Sequence, residues 1–229
     1  QQGAPGAAAQ GIDYSAYPQK RSAFDTRYLN RVLASFLTAY KIRVHAQRES
    51  YNTRPCIIIS NHASFLDGLA AFYTLRTMGY ALDEIVYLMN TRRLADCEPR
   101  QRLYRAMGCV PIDKFNNPRP GYQALERCLA NNMVVLIHPE DIISPDGTMG
   151  EFKHGAFKLA IDHNVPIVPM RIDGTYDILP YTIFENNKPK LIKDGKRLSI
   201  NTYVGDYMFP STANYQEFAQ QVRSAVASL

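Results

Sequence analysis

Three short runs in this chain are almost wholly apolar: Cys56 to Ser60 (CIIIS), Met133 to His138 (MVVLIH) and Pro166 to Ile172 (PIVPMRI). Each is too short for a buried helix and reads as a buried strand. Between them lie segments with helical spacing. Ser64 to about Met78 predicts a helix stopped at Gly79, and a helix from near Arg100 to Met107 ends at Gly108. Tyr122 to Ala130 and Phe157 to Asp162 read as further helices, and Ile85 to Met89 and Cys109 to Asp113 as further strands. Strands alternating with helices predict an α/β fold, a sheet with helices on its faces.

Both ends of the chain add to this frame. Tyr28, Leu29, Val32, Leu33, Phe36, Leu37 and Tyr40 follow i, i+3, i+4, i+7 spacing, with Arg27, Arg31 and Lys41 on the polar side. That amphipathic helix either packs on the core or lies on an anionic membrane. Near the other end, Leu191 to Lys193 runs into Asp194-Gly195, a hairpin turn signal, and then into a strand over Arg197 to Val204. The hairpin predicts an antiparallel edge and hence a mixed sheet. Residues 214 to 228 read as a closing helix. Residues 1 to about 22 carry few large apolar side chains and read as a flexible arm or linker, a stub of something longer, before one domain over 23–229.

Composition narrows the classes. With 46% hydrophobic and 21% charged residues, disorder, collagen-like repeats and a global coiled coil are excluded. Cys56, Cys97, Cys109 and Cys128 form no CxxC, and His45, His154 and His163 show no ligand spacing, so reduced cysteines and no metal are expected. No apolar run nears the roughly 20 residues of a membrane span, and no charged-then-apolar leader starts the residues given. The net charge of +5 fits an anionic partner: nucleic acid, a membrane surface, or a phosphorylated or CoA-like substrate.

The segment richest in chemistry is Ser60-Asn61-His62-Ala63-Ser64-Phe65-Leu66-Asp67, where a buried strand gives way to a helix. Ligands of open α/β sheets bind at the carboxyl ends of strands, so His62 faces the expected crevice. Asp67, five residues on, can reach back to one imidazole nitrogen and stabilise the imidazolium. The other nitrogen is then available to take a proton from a substrate hydroxyl. A competing reading makes Ser64 and Asp67 an S-x-x-D capping box with no catalytic purpose.

Three further segments bear on that choice: Gly108-Cys109-Val110-Pro111-Ile112-Asp113-Lys114, His138-Pro139-Glu140 with Phe152-Lys153-His154-Gly155-Ala156, and Val165-Pro166-Ile167-Val168-Pro169. With Asn61 to Asp67, in this order and spacing, they resemble the glycerolipid acyltransferases, the PlsC-like lysophosphatidic acid acyltransferase superfamily. The likeness covers roughly residues 25 to 229. It implies a single-domain mixed sheet flanked by helices, of the glycerol-3-phosphate acyltransferase type. It implies acyl transfer from an acyl-CoA or acyl-ACP thioester to a hydroxyl of a lysophospholipid or glycerol-phosphate-like acceptor. His62 then corresponds to the general base and Asp67 to its orienting partner. No covalent acyl-enzyme is expected, because the substrate alcohol takes the place of a triad serine. Asn61, Ser64, Gly108, Lys114, Pro139, Glu140, Lys153 and Gly155 correspond to substrate-binding positions. Lys114 stands where the family has arginine and lacks its bidentate fork.

The chain departs from the family after Glu140. The usual Phe-Pro-Glu-Gly-Thr-Arg-Ser reads His138-Pro139-Glu140-Asp141-Ile142-Ile143-Ser144. Loss of the arginine and gain of Asp141 should weaken a phosphomonoester site, unless Lys114, Lys153 or another cation compensates. His138 reads as a packed, hydrogen-bonded histidine or a pocket residue. Arg92, Arg93, Arg100, Arg102 and Arg105 offer a contact for coenzyme A, acyl carrier protein or anionic lipid, or else a solvated helix face. Lys188, Lys190, Lys193, Lys196 and Arg197 make a second basic patch, a charged edge or a membrane contact. These features together lead to a cytoplasmic enzyme peripherally associated with a membrane surface. A lipid-binding module with weak or lost catalysis is the alternative on the same fold. No nucleic-acid-binding signature supports the third possibility.

Overall fold

A computed structural model of the chain describes residues 12–48, 51–95, 97–180, 192–193 and 196–229. At its centre lies β2 (Cys56–Ser60), buried at every residue. It pairs in parallel with β5 (Val134–Ile137) on one side and β6 (Ile167–Asp173) on the other. Beyond β5 come β3 (Ile85–Asn90) and β4 (Cys109–Ile112), also parallel. Beyond β6 come β9 (Ser199–Val204), antiparallel to β6, and β1 (Lys41–Ala46), parallel to β9. The seven strands run in the order β1-β9-β6-β2-β5-β3-β4.

Period-two alternation divides β2 between two cores. Cys56 and Ile58 face Leu29, Leu33 and Phe36 of α1 (Ala23–Ala39) and Phe72 and Leu75 of α2 (Asp67–Thr77). Ile57 and Ile59 face Leu125 of α4 (Arg119–Ala130), Phe157 of α5 (Gly155–Asp162) and Phe218 of α7 (Tyr215–Ser228). Each such side chain contributes about 1.5–3 kcal/mol of burial, so both faces drive folding. Two short helices, α3 (Glu98–Ala106) and α6 (Thr175–Ile178), complete the described elements that bear on the site. No helix among the described residues is long and apolar enough to cross a membrane.

The mixed sheet is present, but its origin differs from the expectation. The hairpin strands β7 (Ile192–Lys193) and β8 (Lys196–Arg197) form a separate two-stranded sheet, with their turn outside the described residues. The antiparallel pair of the main sheet is β6 with β9, inside the sheet rather than at its edge. Lys41 belongs to β1, not to the polar side of α1. The first helix packs on the core through Leu29, Leu33 and Phe36, while Leu37 on the expected apolar stripe is exposed. Residues 12–22, which read as a flexible arm, lie against the domain. Tyr14 and Tyr17 pack on the second core, and the Arg127 Nε donates to the Tyr17 carbonyl at 3.2 Å. Arg21 donates to the Met107 carbonyl at 2.8 Å and also to that of Ile85. Cys56, Cys109 and Cys128 are buried and Cys97 is exposed, all four free.

The parallel strands aim their carboxyl ends at one region. β2 delivers Asn61 and His62, β5 delivers His138 to Glu140, β4 delivers Asp113 and Lys114, and β6 delivers Gly174 and Thr175. This convergence is where an open α/β sheet places a ligand.

Candidate active site

The loop after β2 is held rigidly. The Asn61 side chain donates from Nδ2 to the Ile172 carbonyl at 2.9 Å, and its Oδ1 accepts the Ile172 N–H at 2.7 Å. These two bonds extend the β2–β6 ladder by one residue through a side chain. The Ser64 hydroxyl donates to the Leu179 carbonyl at 2.7 Å and accepts the Leu66 N–H at 3.2 Å. Glu140, arriving from β5, takes the His62 backbone N–H on Oε1 and the Gly150 N–H on Oε2, both at 2.7 Å. Burial raises the Glu140 carboxyl pKa, and these two donors oppose that rise. The Ser144 N–H closes the loop by donating to the His62 carbonyl at 2.8 Å.

Inside that frame, His62 Nδ1 lies 3.0 Å from Asp67 Oδ2. Asp67 is fully buried at the start of α2, where the helix dipole favours a carboxylate. Oδ2 also accepts the N–H groups of Ala63 and Ser64, each at 2.7 Å, and Oδ1 accepts the Thr175 hydroxyl at 2.5 Å. A carboxylate with four donors around it cannot swing away from the ring. Because it only accepts, Nδ1 carries the proton, and Nε2 is left with its lone pair. The capping-box reading of Ser64 and Asp67 is met in one half only: the Asp67 carboxylate takes the Ser64 N–H, while the Asp67 N–H goes to the Ser64 carbonyl at 3.2 Å and not to the Ser64 hydroxyl.

His138 stacks on this dyad. Its ring lies parallel to His62, with centroids 4.3 Å apart and planes at 6°, and Tyr87 meets it edge-on. His138 Nδ1 is 2.8 Å from the Ser60 hydroxyl. Burial, with the neighbouring His62 adding to it, lowers the His138 pKa from 6.5 to about 3. A neutral ring is therefore pressed against His62, whose own side chain is 16% exposed and so is reachable from outside. A depressed folded pKa contributes stability present above about pH 6.5 and lost as pH falls toward 3. About 2 kcal/mol of that loss falls between pH 7.5 and pH 5. His138→Phe keeps a flat ring and removes the titrating group. Urea unfolding at the two pH values should show the variant losing about 2 kcal/mol less than the wild type. Equal losses would contradict a neutral His138.

Lys114 sits at the edge of the same loop. Its ammonium lies 2.6 Å from Asp141 Oδ1 and donates to the Asp141 carbonyl at 2.8 Å. Asp141 has φ +76°, a left-handed conformation that ordinarily selects glycine. Phe115 next to it is exposed, with the Arg92 guanidinium 4.2 Å from its ring centre. Arg93 lies over Phe65, and Arg102 over Phe24 and Tyr28, so Arg92, Arg93 and Arg102 of the basic stretch rest on aromatic rings. Arg105 pairs with Glu98 at 2.8 Å. The side chains of the second basic patch lie outside the described residues.

The structure sorts the substrate-binding positions expected from sequence. Asn61, Ser64 and Glu140 spend polar atoms on backbone groups around His62. Pro139 is buried, and its carbonyl accepts the Lys153 N–H at 2.8 Å, while the Lys153 side chain is exposed. Gly155 opens α5 directly against Tyr122, where a Cβ would come 1.8 Å from the phenol oxygen, so it serves close packing. Gly108, at φ +64°, ends α3 in a turn beside Arg21. Lys114 presents its ammonium to the loop that brackets His62, through Asp141. Thr175 and Ser60 were missed. No local pattern marks a hydroxyl whose partner is 108 residues away, as Thr175 is from Asp67. Among the described residues no group of three or more His, Cys, Asp or Glu could hold a metal ion.

A family model described as Acyltransferase matches residues 41–173, which carry the dyad, Lys114, His138 and Glu140. The chain is 34% identical over 133 residues to the chloroplastic 1-acyl-sn-glycerol-3-phosphate acyltransferase BAT2 of Brassica napus, covering 55% of this chain and 35% of that protein. It is 32% identical over 149 residues to the chloroplastic enzyme LPAT1 of Arabidopsis thaliana, covering 62% and 38%. With 1-acyl-sn-glycerol-3-phosphate acyltransferase beta of Homo sapiens it shares 32% over 170 residues, covering 70% and 55%. The chain thus spans well under half the length of the two plant relatives. Its fold matches the crystal structure of the 1-acyl-sn-glycerophosphate acyltransferase PlsC from Thermotoga maritima, with a TM-score of 0.63 over 90% of this chain and 76% of that one, at 17% identity. Family match and shared fold agree with the dyad at the head of β2, and the chain belongs to the acyltransferase family.

Proposed function

We propose that this chain transfers an acyl group from a thioester donor to the free hydroxyl of 1-acylglycerol-3-phosphate. The observation that carries the reading is the His62–Asp67 pair, with Nδ1 engaged and Nε2 left over at the carboxyl end of the central strand. The relatives named above are enzymes acting on that acceptor, which supports the substrate class.

His62 Nε2 takes the hydroxyl proton as the acceptor oxygen attacks the thioester carbonyl. The C–O bond forms, the C–S bond breaks, and the proton passes from the imidazolium to the departing thiolate. Asp67 holds the ring and stabilises the imidazolium at each stage. No cysteine serves as nucleophile in this scheme, and burial pushes the Cys56 and Cys128 thiols each up to about 11.

The donor is an acyl-CoA or an acyl-ACP, met by the arginines over Phe115, Phe65 and Tyr28. Catalysis takes place at a membrane surface on the cytoplasmic side, where both amphiphiles reside. Exposed Phe24, Phe115 and Ile142 among basic residues support such contact. Incubation with oleoyl-CoA and lysophosphatidic acid, read by mass spectrometry, tests the reading. Phosphatidic acid should accumulate with turnover. Absence of acyl transfer to this acceptor and to other lysolipids would favour a lipid-binding module instead.

A further inference from the structure

We propose that Asp141 is an internal competitor for the Lys114 ammonium, and that this ion pair sets how strongly an acceptor's phosphate is held. The proposal rests on the acyl-transfer reading of the site and adds a determinant of acceptor charge to it.

The pair belongs to the loop that brackets His62. Asp141 follows Glu140, whose carboxylate takes the His62 N–H, and Ser144 three residues on donates to the His62 carbonyl. Asp141 holds Lys114 twice, through Oδ1 at 2.6 Å and its own carbonyl at 2.8 Å. Two of the three ammonium hydrogens are thereby spent on one residue. The Lys114 side chain is 17% exposed and that of Asp141 42%. The cation is thus sheltered, while its anion is open to water and can be exchanged. Arg92 lies over the Phe115 ring, which Lys114 also approaches at 5.2 Å, so a second cation borders the same spot.

The backbone makes the choice of aspartate pointed. At φ +76° glycine would fit without cost, and a side chain there must offset its strain. What this side chain offers is a negative charge on Lys114. A phosphomonoester carries about 1.5–2 negative charges near neutral pH. To reach Lys114 it must displace Asp141 and then remain beside that carboxylate. A zwitterionic headgroup gains less from the lysine and loses less to the aspartate. The pair therefore lowers the preference for the more highly charged acceptor.

The test compares wild type, Asp141→Gly and Asp141→Asn, with oleoyl-CoA as donor and lysophosphatidic acid or lysophosphatidylcholine as acceptor. Glycine suits the backbone, and asparagine tolerates it while removing the charge, so both variants should fold. In both, the ratio of KM for lysophosphatidic acid to KM for lysophosphatidylcholine should fall about ten-fold. In a Lys114→Ala background the same substitutions should leave that ratio unmoved. An unchanged ratio with Lys114 intact overturns the proposal. Calorimetric binding of a short-chain lysophosphatidic acid supplies a readout independent of turnover. If no variant acylates either acceptor, the activity reading fails. Tighter binding by Asp141→Gly would then still support the competitor role, and equal affinities would overturn it.

Discussion

Replacing His62 with alanine is expected to reduce acyl transfer by at least about 10²–10⁴-fold, the usual contribution of a general base. The fall should appear in kcat, because the proton is taken in the transition state and not in the resting complex. The loop should survive the change. His62 is anchored through its backbone, by Glu140 at its N–H and Ser144 at its carbonyl, and those bonds do not involve the imidazole. Steady-state assays with saturating donor and acceptor, beside an unfolding curve, check both halves. A variant with wild-type turnover and a normal unfolding midpoint would remove His62 from the mechanism.

Asp67→Asn should be nearly as damaging, about 10⁴-fold in kcat, the scale seen when a triad aspartate becomes an amide. The asparagine is almost the same size and can keep the Ala63 and Ser64 N–H bonds on its oxygen. Its amide nitrogen then faces the Thr175 hydroxyl, which can turn to accept. What is lost is the charge that stabilises the imidazolium. Asp67→Ala goes further: it leaves the donors of Ala63, Ser64 and Thr175 unpaired at a fully buried position. Each such orphaned group costs about 1–3 kcal/mol, so this variant should lose stability as well as activity. Measuring kcat and urea midpoints for the two variants separates charge from scaffolding. Equal activity in Asp67→Asn and wild type would mean that the carboxylate serves only the fold.

The sequence makes the dyad legible because its parts are close in the chain. Asp67 lies five positions after His62, and CIIIS announces the strand that presents them. The α/β class is legible for the same reason, since each strand and helix carries its own local pattern. What supports the dyad is not local. Asn61 answers to Ile172, 111 residues on, and Ser64 to Leu179, 115 residues on. Asn61, Ser64 and Glu140 therefore look like site residues in the sequence, and the fold turns their polar atoms inward to hold the loop.

Strand β1 escapes for another reason. Its Lys41, Arg43 and His45 alternate with Ile42 and Val44 at a sheet edge, and no residue of it is buried. Such a strand lacks the apolar run that marks β2, and it follows α1 so closely that Lys41 reads as the helix's last turn. Pairing of β9 between β1 and β6 depends on both neighbours, so the Asp194-Gly195 turn signal pointed to an edge that the main sheet does not have there. His138 shows an intermediate case. Its packed, hydrogen-bonded character is readable from the end of MVVLIH, but the parallel stack on His62 joins residues 76 positions apart through two adjacent strands, β2 and β5.

Direct attack of the acceptor hydroxyl on the thioester is tested most sharply by thiol release from oleoyl-CoA, with and without lysophosphatidic acid. Intact-protein mass spectrometry on the same samples reads the enzyme itself. A His62-assisted direct transfer predicts free thiol only when acceptor is present, in step with diacyl product, on a protein of unaltered mass. A burst of thiol without acceptor, matched by a protein that carries the acyl chain, would contradict it.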